Sequence, residues 1–424
     1  MADGMNILFF CHYFPPEVNA PASRTHEHCR EWVKAGHNVT VVTCAPNHPF
    51  GRIYPGYRNR LWQEEMIDGI RVVRIWTYLA ANEGFLRRSA NYLSYMAAAT
   101  LATLFLPKPH VVLSTSPQFF CGLAGYAASR IKRVPWVLEV RDLWPASIVA
   151  VGAMRGGPMI RLLERLEAWA YRKADRIIPV TDSFRPHIEA RAAAAEKIVV
   201  VKNGVDLARF GRPEVDRELA RELGVEGKFV AAYFGTHGMA HGLDAILQAA
   251  ALLRDEAGIA FLMVGDGADC ARLRALKERF GLANVIMLGQ QPKDRLPALW
   301  GLADAALVLL RKLELFKTVI PSKLFEAMGA SRPIVLGIEG EARAIVERAG
   351  CGVAIEPENA EQLAAAVRWL ADHPELARSM GSKGHACVAR EYNRKVLAAR
   401  LEGVLTGLLS HPLALRPAEP RPGA

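Results

Sequence analysis

The sequence predicts an α/β protein with two Rossmann-like domains, each built on a doubly wound parallel sheet and both facing a cleft. At 424 residues the chain is longer than one typical hydrophobic core requires. In both halves short β-rich runs alternate with helical stretches, which indicates parallel strands joined by helices. A cluster of turn residues, Lys202 to Asp206, separates the two series and marks a hinge. We therefore expect one domain over residues 5–202 and another over residues 203–387.

Short apolar runs without alternation predict strands that are buried on both faces. In the first half these are Ile7–Phe10, Val39–Thr43, Val72–Ile75, Val111–Ser114, Trp136–Val140 and Ile177–Val180, with a short strand Ile198–Val201 before the hinge. In the second half they are Phe229–Phe234, Phe261–Val264, Val285–Leu288, Ala305–Leu310 and Pro333–Leu336. Helical segments such as Ala22–Ala35 and Met159–Lys173 lie between them.

The end of the chain is expected to return to the first domain. A helix over about 388–408 is predicted to pack on that domain, and the Pro-rich residues 411–424 are predicted to be disordered. The apolar run that begins at Met5 is short and followed by prolines, so it predicts a first strand and not a signal peptide.

Residues 311–329 form the most informative segment. Pro321 suits the first position of a helix, and Ile320 before it cannot cap by hydrogen bonding, so the first backbone N–H groups are open to an external anion. Lys323 and Glu326 lie three residues apart and leave one helical face. This face suits a nucleotide diphosphate, with the lysine on phosphate and the glutamate on a ribose diol. An ordinary helix with a solvated ion pair fits the same residues.

A glycine-rich loop follows the predicted strand Phe229–Phe234. It runs from Gly235 to Gly242 and leads into an apolar-periodic helix, Leu243–Arg254. Glycine allows close backbone approach and a helix N-terminus attracts anions, so this order suits a phosphate. The loop matches neither a G-x-G-x-x-G nor a Walker sequence, and a plain tight turn is the alternative.

Charged residues follow the predicted strand Trp136–Val140. Active sites of parallel sheets collect at the carboxyl ends of strands, where Arg141 and Asp142 fall. Asp142 could orient an acceptor hydroxyl or act as a base. A structural Asp–Arg pair that closes the loop is the alternative.

The first half of the chain carries most of the positive charge. Residues 1–205 contain 25 Lys and Arg against 16 Asp and Glu. Ser89 to Leu106 contains no charge and follows a helical stripe, so it fits a core helix, a membrane-surface helix or, less well, a transmembrane helix. The helix Met159–Lys173 is expected to present basic residues on one face, opposite an apolar face. The basic residues are Arg161, Arg165 and Arg172, and the apolar ones are Leu162, Leu163, Leu166 and Ala170.

Several classes of function are disfavoured by what the sequence contains. The seven cysteines are scattered without a C-x-x-C pair, which argues for a reducing compartment and against a zinc site. The histidines of the first half have no metal-ligand spacing, so no metal is expected. Basic residues are not interleaved with aromatic ones, so no nucleic-acid partner is expected.

Several short segments share a characteristic order and spacing. They are Phe14–Glu17, Pro21–Arg24, Gly36–His37, Asn203–Asp206, Val264–Gly267, Asn284–Val285, Leu288–Gly289, Leu302–Asp304 and Pro321–Gly329. In this order they resemble the retaining glycosyltransferases of the GT-B class often called family 4, over roughly Met5 to Leu405. The N-terminal form, with Arg141–Pro145, is most similar to a branch of bacterial O-antigen and capsule enzymes that transfer amino sugars.

The resemblance implies a nucleotide-sugar donor, by family habit a UDP-sugar, bound without a metal cofactor. Lys323 would neutralise the diphosphate, Glu326 would hold the ribose, and Gly235 would begin the loop that touches the diphosphate. The stretch Leu288 to Pro292, which includes Gln290, would line the base pocket.

Further substrate contacts are implied by the same resemblance. Asp142 falls near the position where many relatives carry a histidine beside the donor sugar. The other residues expected to contact substrate are Gly265, Val319, Ile320, Arg24 and Arg141.

Three departures from the family pattern concern the donor site. Thr318 stands where the first glutamate of the family's motif would be. Thr236 or His237 stands near the position of an arginine, and His241 replaces a lysine. Two cations are thus lost. Lys323 with Lys317 would have to compensate, and His241 could be charged next to phosphate.

The expected partners are a sugar nucleotide, a lipid-linked or soluble glycan acceptor and an anionic membrane surface, with no nucleic acid. The expected location is the cytoplasmic face of the bacterial inner membrane, as a peripheral protein. Two alternatives remain open from the residues: a sugar-nucleotide epimerase of the same architecture, and a non-catalytic binder of membrane or nucleic acid.

Overall fold

The structure is a computed structural model that describes residues 4–48, 51–80, 85–116, 118–150, 157–191 and 194–410. These residues fall into two compact units. Unit 1 contains the described residues up to Lys202 and those from Leu397 onward, and unit 2 contains Asn203–Val396. The tail 411–424, predicted to be disordered, lies outside the described residues.

Unit 1 is built on one sheet. Its strands are β1 (Asn6–Phe10), β2 (Asn38–Cys44), β3 (Trp62–Ile67), β4 (Ile70–Ile75), β5 (Val111–Thr115), β6 (Trp136–Val140) and β7 (Arg176–Pro179). Among the described residues the order is β3-β4-β2-β1-β5-β6-β7. Strand β3 is antiparallel to β4, and the other neighbours are parallel. Its helices are α1 (Ala20–Lys34), α2 (Phe85–Thr103), α3 (Phe119–Lys132), α4 (Ala146–Ala150), α5 (Pro158–Lys173) and α6 (Arg185–Ala190).

Unit 2 is built on a second, parallel sheet. Its strands are β8 (Phe229–Phe234), β9 (Ile259–Val264), β10 (Val285–Leu288), β11 (Ala305–Leu309), β12 (Ile334–Gly337) and β13 (Gly352–Ala354), in the order β10-β9-β8-β11-β12-β13 within the described chain. Its helices are α7 (Leu207–Phe210), α8 (Arg217–Glu222), α9 (Asp244–Leu252), α10 (Cys270–Phe280), α11 (Leu296–Leu302), α12 (Ser322–Gly329), α13 (Glu341–Ala349), α14 (Ala360–Asp372) and α15 (Pro374–Cys387). The predicted class, two parallel α/β sheets, is confirmed.

The last helix, α16 (Arg394–Ser410), packs on unit 1 from Leu397 onward. Its apolar residues, Leu401 among them, share a buried cluster with Phe9 of β1 and Trp32 of α1. The indole Nε1 of Trp32 donates to the carbonyl of Ala398 at 3.0 Å. Burying an indole costs little when its N–H has a partner, so this contact stabilises the docking of α16.

Three local predictions are corrected by the structure. Ile198–Val201 is not a strand, because Ile198 forms only an isolated bridge to Ile177. Strands β3 and β13 were not predicted, since β3 is a half-exposed edge strand without an apolar run and β13 has three residues. Pro321 is the N-cap of α12 and not its first helical residue, because its ψ of 136° is extended.

Helix α2 has one buried and one exposed face. Tyr95 and Ala99 are fully buried, whereas Leu101 is 62% exposed. Phe105, just after the helix, is 79% exposed and makes an edge contact with Trp62 of β3. Among the described residues, no helix combines the length and apolarity that a bilayer span requires.

The basic and apolar residues of helix α5 do not lie on two separate faces as predicted. Leu162 is 50% exposed and lies beside exposed Arg161, whereas Leu163 and Ala170 are buried. The predicted division, with every leucine opposite the arginines, is therefore wrong for Leu162. The exposed face of α5 mixes basic and apolar side chains.

Candidate functional site

Two loops meet backbone to backbone where β8 and β9 end. Gly235 N–H donates to the carbonyl of Val264 at 2.9 Å, and His237 N–H donates to the carbonyl of Asp266 at 2.9 Å. Gly265 has a φ of +141°, and a Cβ there would lie 1.9 Å from the carbonyl oxygen of Gly235. Only glycine fits this approach, which holds the loop Gly235–Gly242 in place.

Lys323 of α12 reaches this loop. Its Nζ donates to the hydroxyl of Tyr233 at 2.6 Å and lies 3.9 Å from the centre of that ring. A Cβ at Gly235 would lie 2.9 Å from the same Nζ. The Tyr233 hydroxyl donates in turn to the carbonyl of Thr236 at 2.8 Å. Strand β8 and helix α12 together therefore place one cation against the glycine loop.

The surroundings of Lys323 lower the fraction of its side chain that is protonated near pH 7. Burial lowers the pKa of Lys323 to about 7, and the charge of Glu326, one turn further along α12, raises it by less. A buried ammonium is normally stabilised by a paired carboxylate. Here the hydrogen-bonding partner of the ammonium is a neutral phenol.

Two histidines of the glycine loop stand beside Tyr233. The ring centres of His237 and His241 lie 5.9 and 6.1 Å from that of Tyr233. Among the described residues, neither ring nitrogen of His237 has a hydrogen-bond partner, and Nδ1 of His241 also lacks one. Burial lowers the pKa of both, that of His241 to about 3 with Lys323 adding to the effect. Both rings are therefore neutral near pH 7.

The segment ahead of α12 presents mainly backbone. The side chain of Ile320 is buried in the core of unit 2, and Val319 packs against the same core. The hydroxyl of Thr318 donates to the carbonyl of Leu315 at 2.7 Å. Pro321 makes no side-chain cap, as expected of proline. Any contact of Ile320 with a ligand is thus through its backbone.

Lys317 already has carboxylate partners. Its Nζ lies 2.7 Å from Glu314 and 3.3 Å from Glu339. The prediction that Lys317 compensates for the missing cations is therefore corrected, because its charge is balanced by its own neighbours.

Strand β10 ends next to the same loops. Gly265 N–H donates to the carbonyl of Leu288 at 3.1 Å, and the side chain of Leu288 packs against the core. Gln290, two residues further on, is exposed. Leu288 and Gln290 therefore lie at the edge of the sheet where β8 also ends and the glycine loop begins.

Arg24 of unit 1 is a structural residue. It is 2% exposed, and its Nε forms an ion pair with Glu139 at 2.8 Å. Its Nη1 and Nη2 donate to the carbonyls of Lys202 and Val201 at 2.8 and 3.0 Å. The implied role of Arg24 in substrate binding is corrected, because its guanidinium is buried and bonded within the fold.

Arg141 and Asp142 follow β6 in unit 1 and have separate partners. Arg141 Nη1 donates to the carbonyl of Pro21 at 3.1 Å. Burial raises the pKa of Asp142, opposed by hydrogen bonds from the Ser147 side chain and the Leu143 backbone. Asp142 also lines a cavity of about 20 Å³, enough for about one water molecule.

Two site-like residues were not predicted from the sequence. Tyr233 is an aromatic residue inside an apolar strand, a pattern that ordinarily indicates core. Glu17 accepts from the backbone N–H groups of Phe14, Asn47 and His48, and burial raises its pKa to about 7. Glu17 lies in the segment Phe14–Glu17 that carries the family resemblance, but the resemblance implies no role for its side chain. No local pattern distinguishes Tyr233 from ordinary core residues.

Comparison with known proteins identifies the class. The structure of Anabaena Alr3699/HepE in complex with UDP and glucose matches with a TM-score of 0.71 and 17% identity, covering 95% of this chain and all of that one. The fold is thus that of the GT-B glycosyltransferases. Residues 19–204 match the glycosyl transferase 4-like domain, and residues 215–386 match the glycosyl transferases group 1 domain. The chain belongs to the family 4 type of GT-B glycosyltransferases.

Two relatives of this chain are bacterial proteins named as glycosyltransferases. WcaI of Escherichia coli (strain K12), a glycosyl transferase whose name assigns it to colanic acid biosynthesis, is 28% identical over 93% of this chain and 96% of its own length. WbjE of Pseudomonas aeruginosa, also named as a glycosyltransferase, is 27% identical over 65% of this chain and 69% of its own length. The predicted family and enzyme class are confirmed, and the protein is a glycosyltransferase.

Proposed function

We propose that this enzyme transfers a sugar from a UDP-sugar to a hydroxyl of a lipid-linked saccharide, with retention of the anomeric configuration. The observation that carries the proposal is the Lys323 ammonium, held against the glycine loop where β8 ends. The Anabaena protein of the same fold has been solved with UDP and glucose, which supports this choice of donor.

The leaving diphosphate is the group that unit 2 has to stabilise. Negative charge develops on it as the anomeric bond breaks, and Lys323, the N-terminus of α12 and the Gly235–Gly242 backbone supply the donors. A preorganised donor of this kind is typically worth about 3 kcal/mol in the transition state. Glu326, on the same helix, would accept from the ribose hydroxyls, and the segment around Gln290 would contact the base.

Unit 1 is proposed to hold the acceptor. Asp142 follows β6 at the carboxyl end of its sheet, where it would orient the acceptor hydroxyl. Burial raises the pKa of Asp142, which makes its carboxylate a stronger proton acceptor than an exposed aspartate. No nucleophilic carboxylate is assigned, and we propose front-face displacement without a covalent intermediate.

An anionic membrane surface is the proposed location of the acceptor. Leu101 and Phe105 are largely exposed at the C-terminal end of α2, and Arg87 and Arg88 are exposed at its N-terminal end. Exposed apolar side chains suit acyl chains, and exposed arginines suit anionic headgroups. Flotation with anionic liposomes at low salt should carry the protein upward, and Phe105→Glu should reduce the floated fraction. Protein that stays at the bottom of the gradient would count against membrane binding.

The donor proposal is tested by thermal unfolding with UDP, GDP and ADP. A nucleotide at 100 times its Kd stabilises the protein by about 2.7 kcal/mol. We expect UDP to raise the melting temperature of the wild type and to have a much smaller effect on Lys323→Ala. Lys228→Ala, an exposed lysine just before the opposite end of β8, is the matched control and should respond like the wild type.

The outcomes separate donor binding from the other functions. Stabilisation by GDP or ADP instead would replace UDP in the proposal. No stabilisation by any nucleotide would remove the donor site. Retention is checked by NMR of the product's anomeric proton, and an inverted product would overturn that part. Conversion of the sugar nucleotide without acceptor would indicate an epimerase.

A further inference from the structure

In the described part of the chain, the basic groups of the proposed donor site carry less than full positive charge near pH 7. Lys323 has a phenol as its hydrogen-bond partner, and its pKa is lowered to about 7 by burial. The two nearby imidazoles are neutral near pH 7, since burial lowers the pKa of both His237 and His241. A diphosphate placed here would meet three basic groups that do not carry full charge.

Arg311 lies beside Gly242 at the end of the glycine loop and is paired there with Glu358 at 3.5 Å. The other charged groups around the cluster do not make up for this shortage. Glu326 is the carboxylate that acts on Lys323 from its own helix. Asp266, Asp269 and Arg274 act on His237 from the loop and helix after β9, and the two carboxylates favour its charged form while Arg274 opposes it. Asp269 is itself paired with Arg272 at 2.6 Å.

We propose that the donor diphosphate binds together with one proton, which Lys323 takes up from solvent, and that Tyr233 is the positioning residue that holds Lys323 against the glycine loop beforehand. The inference rests on the proposed donor site and deepens it. Two negative charges next to Nζ favour the ammonium form, so binding and protonation stabilise each other.

The direction of the pH dependence follows from this coupling. Below pH 7 Lys323 is already an ammonium in the free protein, so binding of the donor takes up only a small fraction of a proton. Above pH 7 the free protein holds a neutral amine and binding must add a proton. The affinity for the donor should therefore fall about tenfold per pH unit above pH 7, until the pKa of the bound lysine is reached.

Tyr233 is suited to the positioning role by its two hydrogen bonds. Its hydroxyl accepts from Lys323 Nζ and donates to the carbonyl of Thr236, so it links α12 to the glycine loop. Burial raises the pKa of Tyr233, which keeps the phenol neutral and both bonds intact. Without the hydroxyl the ammonium would lose its acceptor, and the neutral amine would be favoured at lower pH.

The experiment is isothermal titration calorimetry with UDP-glucose in HEPES and in Tris, buffers with different ionisation enthalpies and no phosphate. A sugar nucleotide is used because its diphosphate does not titrate near neutral pH, whereas the terminal phosphate of free UDP titrates near pH 6. We expect the wild type to take up about one proton at pH 8 and about half a proton at pH 7. GDP-glucose and ADP-glucose are titrated in parallel.

Three variants assign the proton. Lys323→Arg keeps a permanent charge, so it should bind without proton uptake at pH 8 and with a flat pH profile. Lys323→Met should bind more weakly and also take up no proton, which keeps the test decisive if arginine does not fit beside Gly235. His241→Asn should keep the uptake of the wild type at pH 8.

The tyrosine is tested by Tyr233→Phe. We expect its Kd at pH 7 to rise several-fold and its proton uptake at pH 7 to increase from about one half towards one. A purely structural role would change the unfolding temperature and leave the proton count at pH 7 as in the wild type, and that result would overturn the assignment of Tyr233.

The failures are distinguishable. Wild-type binding without proton uptake at pH 8 overturns this inference and leaves the donor site standing. Uptake that survives in Lys323→Met but is lost in His241→Asn overturns the assignment to Lys323. No binding of any of the three sugar nucleotides overturns the proposed donor site and this inference with it.

Discussion

Arg24 in unit 1 and Lys323 in unit 2 are both cations set against a parallel sheet, with opposite surroundings. Arg24 has a carboxylate at 2.8 Å and two backbone carbonyls on its guanidinium. The ammonium of Lys323 is bonded to a phenol, and burial lowers its pKa to about 7. A cation whose donors are all used within the fold stabilises the fold, whereas one with a neutral partner is available to a ligand.

The largest expected effect is on Arg24. Arg24→Met leaves Glu139 buried without its ion-pair partner, and breaking a buried pair costs about 3 to 5 kcal/mol. Chemical denaturation should show this loss in the transition of unit 1. The double variant Arg24→Met/Glu139→Met is the control and should be more stable than the single one. An unchanged transition in Arg24→Met would show that the pair does not stabilise unit 1.

The stability of Arg24→Met should depend on pH differently from that of the wild type. Burial would raise the pKa of Glu139, but the charges of Arg24 and Arg141 and the bonds from Arg24 and Thr115 lower it overall. In the wild type, ionised Glu139 stabilises the folded state. This stabilisation is present above the ordinary carboxyl pKa and is lost as pH falls through the lowered pKa of Glu139. Without Arg24, burial raises the pKa, and stability is instead lost as pH rises.

The difference in melting temperature between wild type and Arg24→Met should therefore be smallest near pH 4 and grow towards pH 7. Thermal unfolding at pH 4, 5, 6 and 7 measures it. A difference that stays constant over this range would show that Glu139 keeps the same protonation in both proteins.

An intermediate effect is expected for Lys323, on activity more than on stability. Lys323→Ala should lower turnover at least roughly tenfold, because a donor to the leaving diphosphate is lost. Its unfolding free energy should stay within about 1 kcal/mol of the wild type, since no ion pair to Lys323 is broken. Release of UDP in the presence of acceptor measures turnover. Turnover equal to the wild type would remove Lys323 from the proposed chemistry.

The smallest effect is expected for Thr318, at the position where the family resemblance implies a glutamate. Its hydroxyl closes a local turn at 2.7 Å from the carbonyl of Leu315. Thr318→Val should cost about 1 kcal/mol or less and leave turnover within about twofold. A larger fall in the same UDP-release assay, with stability retained, would show that the hydroxyl contacts the donor.

Much of the fold could be predicted because buried parallel strands can be recognised from their local sequence. The bounds of Phe229–Phe234, Trp136–Val140 and Val285–Leu288 were predicted as observed, since strands buried on both faces are continuous apolar runs. Strand β3 carries Glu64 and Glu65 at the sheet edge, where one face is open to solvent, so no apolar run marks it.

The donor site could be predicted only in part. The order of strand, glycine loop and lysine-bearing helix is a local pattern, and it places Gly235 and Lys323 correctly on their elements. Which residues meet across the site is not local. Tyr233 and Lys323 are 90 residues apart, and an aromatic residue in an apolar strand ordinarily indicates core.

The α/β fold, most strands and the residue types available for chemistry could be predicted from the chain, because burial periodicity and glycine spacing are properties of neighbouring residues. The enzyme class was predicted from the family resemblance. Which cation is structural depends on contacts between distant residues. Arg24 meets Glu139 across 115 residues and is neutralised there, whereas Lys323 meets a phenol and keeps a titratable amine. The charge of a buried group depends on its partners in space, and chain order alone does not specify them.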